Sequence, residues 1–171
     1  MRTTAVMSVF ALMLLGVPMV GGLGAQALPE SLLRMVVLTR PALDGTALGG
    51  VRLGSAESAV VATFGSPLST GASRFGDRSL RYEVVPDVYL DIHTVGAMVR
   101  AVSLTARGGG LPQSPTTVRG ITLGAPTAQV LERYGDASSL WYTAEGIGFN
   151  IDAVAETVES IVVFPSGTLL P

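Results

Sequence analysis

Gly50-Val51-Arg52-Leu53-Gly54 returns 70 positions later as Gly120-Ile121-Thr122-Leu123-Gly124. Each copy leads into a short helical pattern that ends at a glycine, Gly65 or Gly135. Strand-like segments follow, closing on Ala101-Val102-Ser103-Leu104-Thr105 in the first half and Ser160-Ile161-Val162-Val163-Phe164 in the second. Recurrence of this kind predicts one supersecondary unit duplicated and packed against its copy. The halves superpose with Val60 on Val130, Phe64 on Tyr134, Leu90 on Phe149 and Val99 on Val158. The first half carries about ten extra residues between Leu68 and Ser79, read as a loop, where insertion costs little.

Within each half, Ser55 to Phe64 and Pro126 to Tyr134 read as helices. Ser55 is placed as an N-cap, Pro126 suits a first turn, and the glycines stop both. Val60 and Phe64, like Val130 and Tyr134, are four apart and share a face that should rest on a sheet. Three strands follow each helix: Ser79 to Val84, Asp87 to Thr94 and Val99 to Thr105, then Ser139 to Thr143, Gly146 to Asp152 and Ser160 to Phe164. Short intervening segments favour antiparallel hairpins. The fold class is therefore α+β: two tandem helix-plus-three-strand repeats forming a six-stranded antiparallel sheet with the helices on one face.

The chain divides into an export signal over 1–27, an N-terminal segment over 28–49, repeat 1 over 50–105, a linker over 106–117 and repeat 2 over 118–171. Residues 28–171 form one compact domain. Arg2 and the apolar run Ala5 to Leu15 precede Ala25-Gln26-Ala27, a small-x-small cleavage pattern. The same stretch is nearly long enough for an uncleaved anchor, the only membrane contact the sequence suggests. The localisation this predicts is periplasmic or extracellular. Leu32 to Leu38 fits a helix or an edge strand equally well. Gly108 to Pro115 reads as a flexible spacer.

Composition excludes several chemistries. There is no cysteine, so disulfides, thiol catalysis and cysteine-ligated zinc are ruled out. All eleven basic residues are arginine, which removes Schiff-base lysines and the phosphate-loop lysine. A net charge of −2 without basic runs argues against nucleic acid. No cofactor and no metal are expected.

The pattern G-[VI]-x-L-G-x5-V-x3-[FY]-G followed by strands resembles the SmpA/OmlA (BamE-like) domain. It is also similar to the duplicated unit of beta-lactamase-inhibitory-protein-like modules. The resemblance implies an exported, non-enzymatic module that binds proteins with a sheet face. The acylated cysteine of the former and the disulfides of the latter have no counterpart here, and no contact residue matches by motif.

Strand parity assigns the two faces. Leu80, Tyr82, Val88, Leu90, Ile92, Val102 and Leu104 point to the core, as do Leu140, Tyr142, Ile147, Phe149, Ile151, Ile161 and Val163. The opposite, uncovered face carries Trp141, Tyr89, Arg81, Asp91, His93, Asn150 and Phe164, the candidate contact residues for a protein partner. The alternative for Trp141 is packing beneath the N-terminal segment or a loop. The leading reading is a non-catalytic binding or scaffold module, inhibition of a secreted enzyme being one such role. The alternatives are a small hydrolase or lectin-like protein using Asp91 and His93, and a purely structural envelope component. His93 is the only histidine, and Asp91, two residues before it on the same face, is placed to orient it as a base. Asp87, Asp91 and His93 are the one grouping that resembles a metal site, against the simpler reading of a solvated strand face.

Overall fold

The structure, a computed structural model, describes residues 29–108, 114–137 and 139–168. The export signal over 1–27 and linker residues 109–113 lie outside the described residues.

The ambiguous N-terminal segment is a helix, α1 (Glu30–Thr39), which buries Leu33, Val37 and Leu38 on one stripe. A two-stranded ribbon follows, β1 (Ala47–Leu48) with β2 (Val51–Arg52). Helix α2 (Glu57–Phe64) starts later than expected: Ala56, not Ser55, occupies the N-cap and supplies no side-chain cap. Its first amides are met instead from the sheet, Glu57 N–H donating to Ala97 O at 2.8 Å. Gly65 closes α2 at φ +80°, a conformation that favours glycine. Helix α3 (Thr127–Tyr134) is closed the same way by Gly135.

The main sheet has seven antiparallel strands rather than six: β3 (Ser69–Ser73), β4 (Gly76–Val85), β5 (Val88–Val95), β6 (Met98–Ala106), β7 (Trp141–Tyr142), β8 (Ile147–Asp152) and β9 (Thr157–Val163). Their order is β3-β4-β5-β6-β9-β8-β7, with β6 and β9 meeting at the centre. The extra strand is the segment read as an inserted loop. It pairs with an elongated β4 through a two-residue turn, Arg74-Phe75, with Ser73 opposite Gly76. The described architecture is thus α+β, a seven-stranded antiparallel sheet with three helices.

Parity behaves as a half-buried sheet requires. One continuous apolar core joins Leu80, Tyr82, Leu90, Ile92, Leu104, Tyr142, Phe149, Ile161 and Val163 to Leu33 and Val37 of α1, Val60 and Phe64 of α2, and Val130 and Tyr134 of α3. Leu90 is 0% and Phe149 2% exposed. The helices therefore lie on one side of the sheet.

Several bonds recur between the halves. Gly54 N–H donates to Val99 O and Gly124 N–H to Val158 O, both at 2.8 Å. Tyr82 Oη donates to Gly65 O at 3.1 Å, and Tyr142 Oη to Gly135 O at 2.8 Å. The hairpin turns place Ala97 at φ +62° and Glu156 at +52°. The remainder differs: among the described residues α1 and β3 have no counterpart in the second half, and β7 keeps two residues where β4 has ten.

Candidate functional site

The face turned away from the helices is built from cross-strand rows. One row runs Arg81, Asp91, Ser103, Val162, Gly148, Trp141, and the next runs Glu83, Tyr89, Thr105, Ser160, Asn150. Neighbours within a row stand about 5 Å apart, close enough for direct side-chain contact.

This face is not open along its whole length. Phe75, at the tip of the β3–β4 hairpin, lies over the sheet beside His93, their ring centroids 5.0 Å apart and edge-on. It also meets Trp141 at 5.7 Å, and Trp141 in turn meets Phe164 at 5.7 Å. Phe75, Ala101, Val162 and Phe164 form a second buried apolar cluster, with Trp141 packed against it. Trp141 can lie flat because the residue opposite it is Gly148, where an added Cβ would enter the indole ring. The uncovered surface expected from parity is thus half sealed by an aromatic plug. Burial of apolar area drives this closure, since Phe75, Trp141 and Phe164 would otherwise all face water.

The other half is a polar cleft of about 430 Å³. Strand β3 forms its wall, and Arg81, Asp91, Ser103, Thr105, Asn150 and Ser160 its floor. Arg81 grips Asp91 with a bidentate fork, Nε donating to Oδ1 at 2.7 Å and Nη2 to Oδ2 at 2.9 Å. Tyr89 sits beside this pair, with the guanidinium carbons of Arg81 and Arg107 at 5.2 and 5.6 Å from its ring centre. Thr105 Oγ1 donates to Ser160 Oγ at 3.0 Å.

His93 stands at the boundary between plug and cleft. Its Nδ1 lies 2.7 Å from Ser73 Oγ and its Nε2 3.4 Å from Ser103 Oγ. In the Nε2–H tautomer, Ser73 donates to Nδ1 and the ring donates to Ser103, while Phe75 N–H donates to Ser73 Oγ at 2.9 Å. Burial pushes the imidazole down to about pKa 4; the carboxylate of Asp91 opposes that shift and the arginines Arg74 and Arg81 add to it.

The expected Asp91–His93 pairing does not form. Asp91 is directly opposite Arg81 across β4–β5, and a charged fork at the nearest cross-strand position outcompetes a neutral imidazole two residues along the same strand. Among the described residues, no group of three His, Asp or Glu side chains is placed to hold a metal, so Asp87, Asp91 and His93 do not form one.

Of the seven candidate residues, Arg81, Asp91, His93 and Asn150 line the cleft, and Tyr89 flanks it. Trp141 and Phe164 belong to the plug, where Phe164 is fully buried. Sequence reasoning missed Ser73, Arg74 and Phe75. The one available signal was the insertion found in a single half.

No protein-family model matches the chain, and neither does any curated protein sequence. Solved structures resemble it, two of them as follows. A cysteine-rich secretory protein from Staphylococcus aureus subsp. aureus Mu50 matches at 12% identity and a TM-score of 0.48, over 76% of this chain and 48% of that one. An extracellular protein containing an SCP domain from Bacillus anthracis str. Ames matches at 9% identity and a TM-score of 0.49, over 66% and 44%. The chain spans about half the length of each. The resemblance to SmpA/OmlA (BamE-like) and beta-lactamase-inhibitory-protein-like repeats is accordingly corrected: no family model carries it, and the structural neighbours are secretory and SCP-containing proteins. The glycines and apolar positions behind it are those that any glycine-stopped helix packed on a hairpin requires.

Proposed function

We propose that this chain is a non-catalytic, exported binding module made of two duplicated units, which contacts a protein partner through the sheet face opposite its helices. The observation that carries the reading is the division of that face. An aromatic plug rigidifies one half, and the other keeps charged, aromatic and amide groups at its rim. Arg81, Tyr89 and Asn150 remain partly exposed there, and arginine and tyrosine are the side chains that concentrate interface energy. Duplication is supported by the bonds shared between the halves, and export by the signal-like residues 1–27.

A hydrolase is the weaker reading. Ser73 and His93 are close enough for a nucleophile and base, yet an imidazole with a pKa near 4 is poorly matched to neutral pH. Its second nitrogen faces Ser103 rather than an orienting carboxylate.

The test is affinity capture from the native envelope fraction with the wild-type chain and with Tyr89→Ala and Arg81→Ala. A protein retained by the wild type and lost from both folded variants is the expected result. Equal retention by all three would refute the assignment of the face, and ester hydrolysis abolished by Ser73→Ala would refute the non-catalytic reading.

A further inference from the structure

The cleft beside the plug has a lining that a protein contact does not use up. Six hydroxyl side chains face it, from Ser69, Ser73, Ser79, Ser103, Thr105 and Ser160. Asn150, on the floor, makes no side-chain hydrogen bond among the described residues. The charges on the floor are spent on each other, since both carboxylate oxygens of Asp91 are held by Arg81. Such a fork is pre-organised, and each carboxylate oxygen keeps a lone pair for a further donor.

These features restrict the ligand. The volume falls within the roughly 300–1,000 Å³ of small-molecule sites, which are ordinarily lined mostly by apolar groups. An apolar ligand would strip water from Asn150, Ser69 and the spare lone pairs of the bonded hydroxyls and return nothing. Of the two arginines in the lining, Arg81 is neutralised by Asp91 and Arg74 lies over the Phe75 ring, so inorganic phosphate and glutamate serve as the anionic arms of the test. An extended peptide offers its donors and acceptors along a line, whereas here they converge from wall and floor onto one compact space. A polyol presents hydroxyls around its whole rim, each both donor and acceptor. The carbon face of a sugar ring would lie against the edge of Phe75 that borders the cleft.

We infer that the cleft binds a neutral saccharide unit, with Asp91 and Asn150 accepting from and donating to its hydroxyls and Phe75 backing its ring. The site goes beyond the protein contact: it shares Arg81 and Asn150 with that face, whereas the rim residue Tyr89 is not part of the cleft lining.

The full chain would be titrated calorimetrically with maltotriose, cellobiose, di-N-acetylchitobiose and mannobiose, with inorganic phosphate and glutamate as anionic probes. Binding of at least one saccharide is expected, weakened at least tenfold by Asn150→Ala and unchanged by Tyr89→Ala. Ser69→Ala, on the exposed wall opposite Arg81, gives a second variant whose folding does not depend on a buried bond. Binding by none of the four saccharides, saccharide binding indifferent to both Asn150→Ala and Ser69→Ala, or tighter binding of phosphate or glutamate would each overturn the assignment. Loss of saccharide binding by Ser69→Ala together with intact protein capture by that variant separates this site from the partner surface.

Discussion

His93 shows how a single side chain joins stability to the shape of the face. It is buried and neutral, held between Ser73 of the hairpin and Ser103 of the central sheet. In the unfolded chain its pKa returns to about the ordinary 6.5, so between pH 6.5 and 4 the unfolded state binds a proton that the folded state refuses. Stability is therefore complete above pH 6.5 and falls as the pH drops to about 4, by up to about 3 kcal/mol. Denaturant titrations across that range should show this loss, and His93→Gln should remove most of its slope. A wild-type midpoint that does not move between pH 6.5 and 4 would contradict the buried, neutral imidazole. The histidine's isolation as the chain's only one was legible in the sequence, but its partners were not. Ser73 lies 20 residues away on a hairpin that local pattern does not reveal, and Asp91 was claimed by the arginine directly across from it.

Among the elements, the β3–β4 hairpin does most to distinguish the two faces. Ser69-Thr70-Gly71-Ala72-Ser73 contains no alternating apolar residues and a glycine, so nothing local marks it as a strand. It is held by pairing with β4 and by Phe75, whose ring is anchored between His93 and Trp141. Strands β4, β5, β6 and β8 were legible because apolar and polar residues alternate along most of each, which fixes both strand and face, and β9 because it ends in the β-branched run Ile161-Val162-Val163. Phe75→Ala should cost about 2–4 kcal/mol, somewhat below a full core truncation because the cluster is peripheral. Amide exchange should accelerate over β3 and the start of β4 while β5 and β6 keep their protection. Uniform acceleration across the sheet would mean that the hairpin is part of the global core instead.

For the whole molecule, two layers explain why one face is spoken for and the other is not. Three helices and the β1–β2 ribbon cover the inward parity of the sheet, and β6 pairing with β9 makes a single core of the two halves. Leu90→Ala and Phe149→Ala, one from each half, should each destabilise by about 3–5 kcal/mol in one cooperative transition. Two separated transitions would show that the halves fold independently. Because the chain has no cysteine, a cysteine introduced at one position is a unique chemical handle. The decisive measurement attaches a photo-crosslinker to Asn150→Cys on the cleft face or to Glu132→Cys on the exposed side of α3, and irradiates each in the envelope fraction. A specific protein adduct from the Asn150 position and none from Glu132 is the predicted outcome. An adduct from Glu132 alone, or equal adducts from both, would contradict a partner surface on the sheet face opposite the helices.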